Sequence, residues 1–107
     1  MPAIGQVILN KNGGYSGALK TLTINVAIEF LPNQDKQSER APDFHIYSGP
    51  IEVGAAWCRI GKDSGDPYVS AVFAAPEFGN RKLYANLGKA AGQNDDKVFA
   101  LIWNPED

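Results

Sequence analysis

Between Thr21 and Phe30 the chain alternates without a break. Leu22, Ile24, Val26, Ile28 and Phe30 fall on one side, and Thr21, Thr23, Asn25, Ala27 and Glu29 on the other. A period of two with β-branched enrichment marks a strand with one buried face. Just upstream, Asn12-Gly13-Gly14-Tyr15-Ser16-Gly17 supplies the Asn-Gly and Gly-Gly steps that a tight hairpin turn demands. Residues 4–9 and 15–30 are therefore expected to form the first hairpin.

The same reading extends to the C-terminus. Phe44 and Ile46 share a face in the segment Asp43–Ser48, and Gly49-Pro50 turns the chain. Ile51, Val53, Ala55 and Trp57 follow on one face, which places Trp57 in the core. After the turn cluster 61–67, Val69, Ala71 and Phe73 share a side, as do Leu83, Ala85 and Leu87 later. Gly92–Asp96 turns again, and Val98–Trp103 is the last apolar run. Pro32–Pro42 is polar with proline at both ends, an exposed loop with room to move. A single helical turn fits only near Pro76–Asn80 or Gly88–Gly92. About seven short strands separated by turn signals imply an all-β fold, a small antiparallel barrel or sandwich with little helix. At 107 residues the chain makes one domain, 1–107.

Composition narrows the function classes. The net charge is -2, without the basic excess of a dedicated duplex-DNA binder. Cys58 is the single cysteine, so no intrachain disulfide forms, which favours the cytoplasm. The start, Met1-Pro2-Ala3-Ile4-Gly5, has no basic and apolar leader pattern, so no signal peptide is expected. The run Val98–Trp103 is far below the roughly 20 apolar residues a spanning helix needs.

Catalytic chemistry finds few candidates. A nucleophile–base pair needs a base, and His45 is the single histidine. Alternation points it away from Phe44 and Ile46, toward the surface. Cys58 has Arg59 beside it, but a small side chain packed next to Trp57 is the simpler reading. One cysteine and one histidine do not make a zinc site. Asn94-Asp95-Asp96 lacks the alternating spacing of a calcium loop. Gly61-Lys62-Asp63-Ser64-Gly65 lacks the order of a phosphate loop. No enzyme activity, metal or cofactor is expected.

The aromatics remain. Alternation puts Tyr47, Tyr68 and Tyr84 opposite the apolar faces of their strands, with His45 on the same face as Tyr47. Such residues suit a protein partner, because tyrosine anchors interfaces. They also suit a single-stranded nucleic acid stacked on an OB-like surface.

Several motifs run in order through the chain. NGGYSG stands at Asn12–Gly17, KTLT at Lys20–Thr23, APDF at Ala41–Phe44 and GAAW at Gly54–Trp57. YVS follows at Tyr68–Ser70, YANL at Tyr84–Leu87 and LIW at Leu101–Trp103. In this pattern the chain resembles the family called Domain of Unknown Function 736. The resemblance covers nearly the whole chain and implies a small protein of bacterial plasmids and other mobile elements, often encoded near conjugation and anti-restriction genes. It assigns no activity. The chain departs from the family pattern at three places. His45 stands where a basic residue is common, Cys58 where lysine is common, and Ala74 and Ala75 where an acidic pair is common. The first two weaken a basic, nucleic-acid-facing surface. The expectation is a non-enzymatic binding protein of a mobile genetic element. In its narrower form it inhibits a host defence, in the manner of anti-CRISPR or anti-restriction proteins, by occluding a protein surface. Its partner is a host or element-encoded protein bound through His45, Tyr47, Tyr68 and Tyr84. The alternative is an OB-like module for single-stranded nucleic acid.

Overall fold

Where one face of every strand must be buried and the described residues form no α-helix to cover it, a sheet can bury that face against itself by closing. This chain takes that route. The computed structural model describes residues 3–63, 65–76, 82–89 and 97–104. Eight strands follow in order: β1 (Ala3–Leu9), β2 (Tyr15–Lys20), β3 (Asn25–Pro32), β4 (Phe44–Ser48), β5 (Ile51–Ile60), β6 (Pro67–Phe73), β7 (Leu83–Lys89) and β8 (Val98–Trp103). Each pairs antiparallel with its sequence neighbour, and β8 pairs with β1, so the sheet is a closed up-and-down barrel without an edge.

The expected strand over 15–30 divides in two. Thr21 N–H donates to the Ile24 carbonyl at 2.7 Å, and Ile24 N–H donates to Thr21 Oγ1 at 3.1 Å. These bonds reverse the chain between Lys20 and Asn25, which are paired. Leu22 therefore leaves the buried face and sits fully exposed at the tip. Seven expected strands become eight for this reason. The turn before β2 is as expected: Gly13 has φ +90°, and Asn10 N–H donates to the Gly14 carbonyl at 2.7 Å. Gly88 and Lys89 continue β7, so no helical turn begins there. The turn expected over 92–96 and, beyond Pro76, the helical turn expected over 76–80 lie outside the described residues.

Inward positions fill the barrel. Val7, Leu19, Phe30, Ile46, Ala56, Ala71, Phe73 and Leu101 have no exposed surface. Phe30 lies at the centre of an aromatic group, its ring 5.8 Å from Tyr15, 6.3 Å from Phe44 and 6.5 Å from Phe73, all near edge-on. The barrel is a packed core and not a through-channel, as eight strands allow.

Trp57 is the main correction. Ile46 pairs with Gly54 and the next residue, Tyr47, with Glu52, so Val53 is an extra residue on β5. This bulge reverses the inward phase. Val53 and Ala56 are buried, whereas Ala55 and Trp57 face outward. Trp57 is half-buried on the outer wall and not a core residue.

Candidate functional site

Alternation on β4 buries Phe44 and Ile46 and turns His45 and Tyr47 outward. The register then sets their neighbours. Leu31 pairs with His45, His45 with Ala55, Ala55 with Val72 and Val72 with Tyr84. One lateral row thus crosses five strands on the outside. His45 and Tyr84 stand three strands apart in it, roughly 14 Å at ordinary strand spacing. In the next row Tyr47 pairs with Glu29 on β3 and Glu52 on β5, so carboxylates flank it on both sides. His45, Tyr47 and Tyr84 therefore share one wall of β4–β7. Tyr68 does not join them. It pairs with Arg59 near the end of β5 and lies at one mouth of the barrel.

The bulge adds residues that alternation misplaced. A shallow groove of about 320 Å³ lies on this wall, lined by Glu52, Gly54, Ala55, Trp57, Val72 and Lys82, with Ala74 beside them. Its floor is small and apolar. The Trp57 ring, a carboxylate and an ammonium line it. A lone glycine inside a strand pattern, here Gly54, is the sequence signal of a bulge and could have found Trp57. A Cβ on Gly54 would strike the Val72 carbonyl oxygen and lie 3.1 Å from Phe73 Cα. The close β5–β6 approach at the groove floor therefore requires glycine.

The loop between β3 and β4 is tethered to the barrel. Trp57 Nε1 donates to the Arg40 carbonyl at 2.9 Å, and Asn33 Nδ2 donates to the Pro42 carbonyl at 2.8 Å. Asp43 N–H donates to the Ala56 carbonyl at 2.9 Å. The Asp43 carboxylate accepts from Lys36 Nζ at 2.7 Å and from the Cys58 N–H at 2.8 Å. Residues 34–40 remain exposed, but both ends of the loop are fixed. Trp57→Phe keeps the ring and removes the Nε1 donor. It should speed tryptic cleavage at Lys36 and Arg40 and lower stability by about 1 kcal/mol. Unchanged cleavage kinetics would mean that Trp57 does not hold the loop.

The Lys36 hydrogen bond, then the Cys58 N–H bond, hold the Asp43 carboxyl below its ordinary pKa. The unfolded chain therefore takes up this proton at higher pH than the folded one. The stabilisation from Asp43 is complete above the ordinary carboxylate pKa and is lost as pH falls through the lowered folded value. An acid titration followed at the Cys58 amide resonance should give a midpoint below the ordinary aspartate range, and Lys36→Ala should move it upward. A midpoint at or above that range would contradict the network.

His45 Nδ1 is buried without a hydrogen-bond partner and lies 3.6 Å from Glu52 Oε2, just beyond bonding reach. Cys58 lies on the opposite face of β5 from Trp57. Burial first, then the Asp43 carboxylate, pushes its thiol up, the reverse of what a nucleophile needs. Among the described residues no group of three or more His, Cys, Asp or Glu side chains gathers to hold a metal ion. No helix among them is long and apolar enough to cross a membrane.

The chain matches a family model described as protein of unknown function (DUF736) over residues 3–106. No curated protein and no solved structure matches it.

Proposed function

The chain belongs to the DUF736 family, and on that premise we propose that it is a non-catalytic binding protein that captures a protein partner on the β4–β7 wall. The observation behind this reading is the register at Tyr47, which sets Glu29 and Glu52 on either side of the ring. A stacking platform for nucleic acid needs cations beside its aromatics, to meet the phosphates. Carboxylates there repel a phosphate backbone. They suit instead an arginine or lysine from a protein partner, which would meet the tyrosine face and two acceptors together. Next to it, the groove between Trp57, Glu52 and Lys82 has the size and floor to take one apolar side chain. A specific interface draws roughly 800 Å² from each side. Four short strands supply only part of that, so the exposed loop 34–40 beside Trp57 belongs to the same surface.

The narrower reading is a mobile-element inhibitor that occludes a host defence protein in the cytoplasm. It draws support from the genetic setting that the family resemblance implies and from the small size of the chain. The second reading, single-strand nucleic-acid binding, has the pairing of Arg59 with Tyr68 in its favour. The eight-stranded meander is not the five-stranded Greek-key barrel of an OB fold, however.

The test is affinity capture from nuclease-treated host lysate with three baits. The wild type should recover a specific protein. Tyr47→Ala and Glu52→Lys should keep their fold and weaken capture by at least about 2 kcal/mol, roughly thirtyfold. Equal capture by all three would place the interface elsewhere. Recovery that depends on nucleic acid would favour the second reading.

A further inference from the structure

A separate feature lies at the barrel end where β5, β7 and the loop after β3 finish. A cavity of about 320 Å³ opens there, lined by Tyr15, Cys58, Tyr68, Val69, Leu87 and Phe99, with Pro67 at its side. We propose that this cup binds a small, uncharged aromatic molecule of one or two rings.

Three properties define the occupant. The first is size. The volume lies at the low end of the range for small-molecule sites, and barrel mouths are a common place for them. The core sets the depth, because Phe30, Phe73 and Leu101 are fully buried and leave no room for a ligand to go further.

The second property is polarity. Among the described residues, no side chain lining the cup bears a full charge at neutral pH. Burial first, then the nearby Cys58, raises the Tyr15 phenol above its ordinary pKa, and burial first raises the Cys58 thiol. Both groups stay protonated. A charged ligand would lose hydration here without a counter-charge among the described lining residues.

The third property is shape. The Tyr15 ring is fixed in place before any ligand arrives, by edge contacts at 5.8 Å to Phe30, 5.7 Å to Phe44 and 5.5 Å to Phe99. Tyr15, Tyr68 and Phe99 offer aromatic faces and edges, which favour a ring over an aliphatic chain. The Tyr15 and Tyr68 hydroxyls and the Cys58 thiol supply the few polar contacts that orient a ligand. This gives Tyr68, which stands apart from His45, Tyr47 and Tyr84, a role of its own. The cup needs nothing from the proposed partner wall.

Indole is a suitable probe, since it is neutral, aromatic and has one N–H donor. Titration should produce saturable shifts of the Val69 and Leu87 methyl resonances, with Kd below about 1 mM. At an indole concentration ten times Kd, alkylation of Cys58 by iodoacetamide should slow about tenfold. Leu87→Trp fills the cup and should abolish the Val69 methyl shift and the protection of Cys58. If that variant does not fold, Cys58→Phe, at an exposed position, blocks the same space and should do the same in the methyl titration. Tyr47→Ala should bind indole like the wild type. Non-saturating shifts to 5 mM, shifts away from the cup, or unchanged binding in the folded blocking variant would overturn the proposal.

Discussion

Phe30→Ala should lower the free energy of unfolding by about 3–5 kcal/mol, the range for truncating a fully buried phenylalanine. Phe30 has no exposed surface and makes edge contacts with Tyr15, Phe44 and Phe73. The closed barrel makes the loss severe. A sandwich can relax by sliding its two sheets together, but here every strand is hydrogen-bonded on both sides and cannot move in to fill the space. A domain of this size has about 5–15 kcal/mol in total, so the variant should be marginal. Thermal unfolding by circular dichroism should show a fall of roughly 15 °C or more. A fall of less than about 4 °C would mean that the barrel interior is less tightly packed than these contacts imply. The cup should also suffer, because the Tyr15 ring loses one of its three edge supports.

Gly17→Ala should be nearly as damaging, by a different mechanism. Gly17 pairs with Val7 on one side and Ile28 on the other. A Cβ there would strike the Gln6 carbonyl oxygen and stand 2.7 Å from Val7 Cα. These are backbone atoms of a paired strand, so relief requires β1 and β2 to separate, and overpacking of this kind costs about 1–3 kcal/mol or more. Gly88 is the control. Among the described residues, a Cβ at Gly88 meets only Ile102 Cγ1 at 3.6 Å, an ordinary contact. Gly88→Ala should therefore lie within about 0.5 kcal/mol of the wild type. Urea unfolding of the two variants separates the cases: a drop for Gly17→Ala together with no change for Gly88→Ala is the expected pattern. Equal effects would mean that strand propensity and not the close approach explains glycine at position 17.

Legibility in the sequence followed the alternation and ended where the backbone broke it. On β4, β6 and β7 the strict period placed Phe44, Ile46, Val69, Ala71, Phe73, Ala85 and Leu87 inside, and all are buried. The same rule placed His45, Tyr47 and Tyr84 outside. It failed at two kinds of site. Thr21-Leu22-Thr23-Ile24 continues the apolar period and has no glycine, proline or asparagine to announce a turn, yet hydrogen bonds within those four residues reverse the chain. On β5 the extra residue Val53 exchanges the two faces, which moved Trp57 from the core to the wall. The pairing of β1 with β8 could not be read at all. It joins the two ends of the chain, and no local pattern specifies a contact at that separation. The carboxylates beside Tyr47 were hidden for a related reason, since cross-strand neighbours depend on register and register depends on the bulge. The tether of the 33–43 loop rests on particular hydrogen bonds of Trp57, Asn33 and Asp43, which no local sequence pattern specifies.

The proposed partner surface is the β4–β7 wall and not the opposite side of the barrel. Site-specific photo-crosslinking distinguishes the two sides. A benzoylphenylalanine placed at Tyr47 or Tyr84 would report on this wall. One placed at Ala18, which faces outward on β2 between Gln6 and Ala27, would report on the other side. Irradiation in nuclease-treated host lysate should give the same discrete crosslinked protein from positions 47 and 84 and none from position 18. Crosslinks from position 18 alone, or from all three positions alike, would contradict the assignment of the wall.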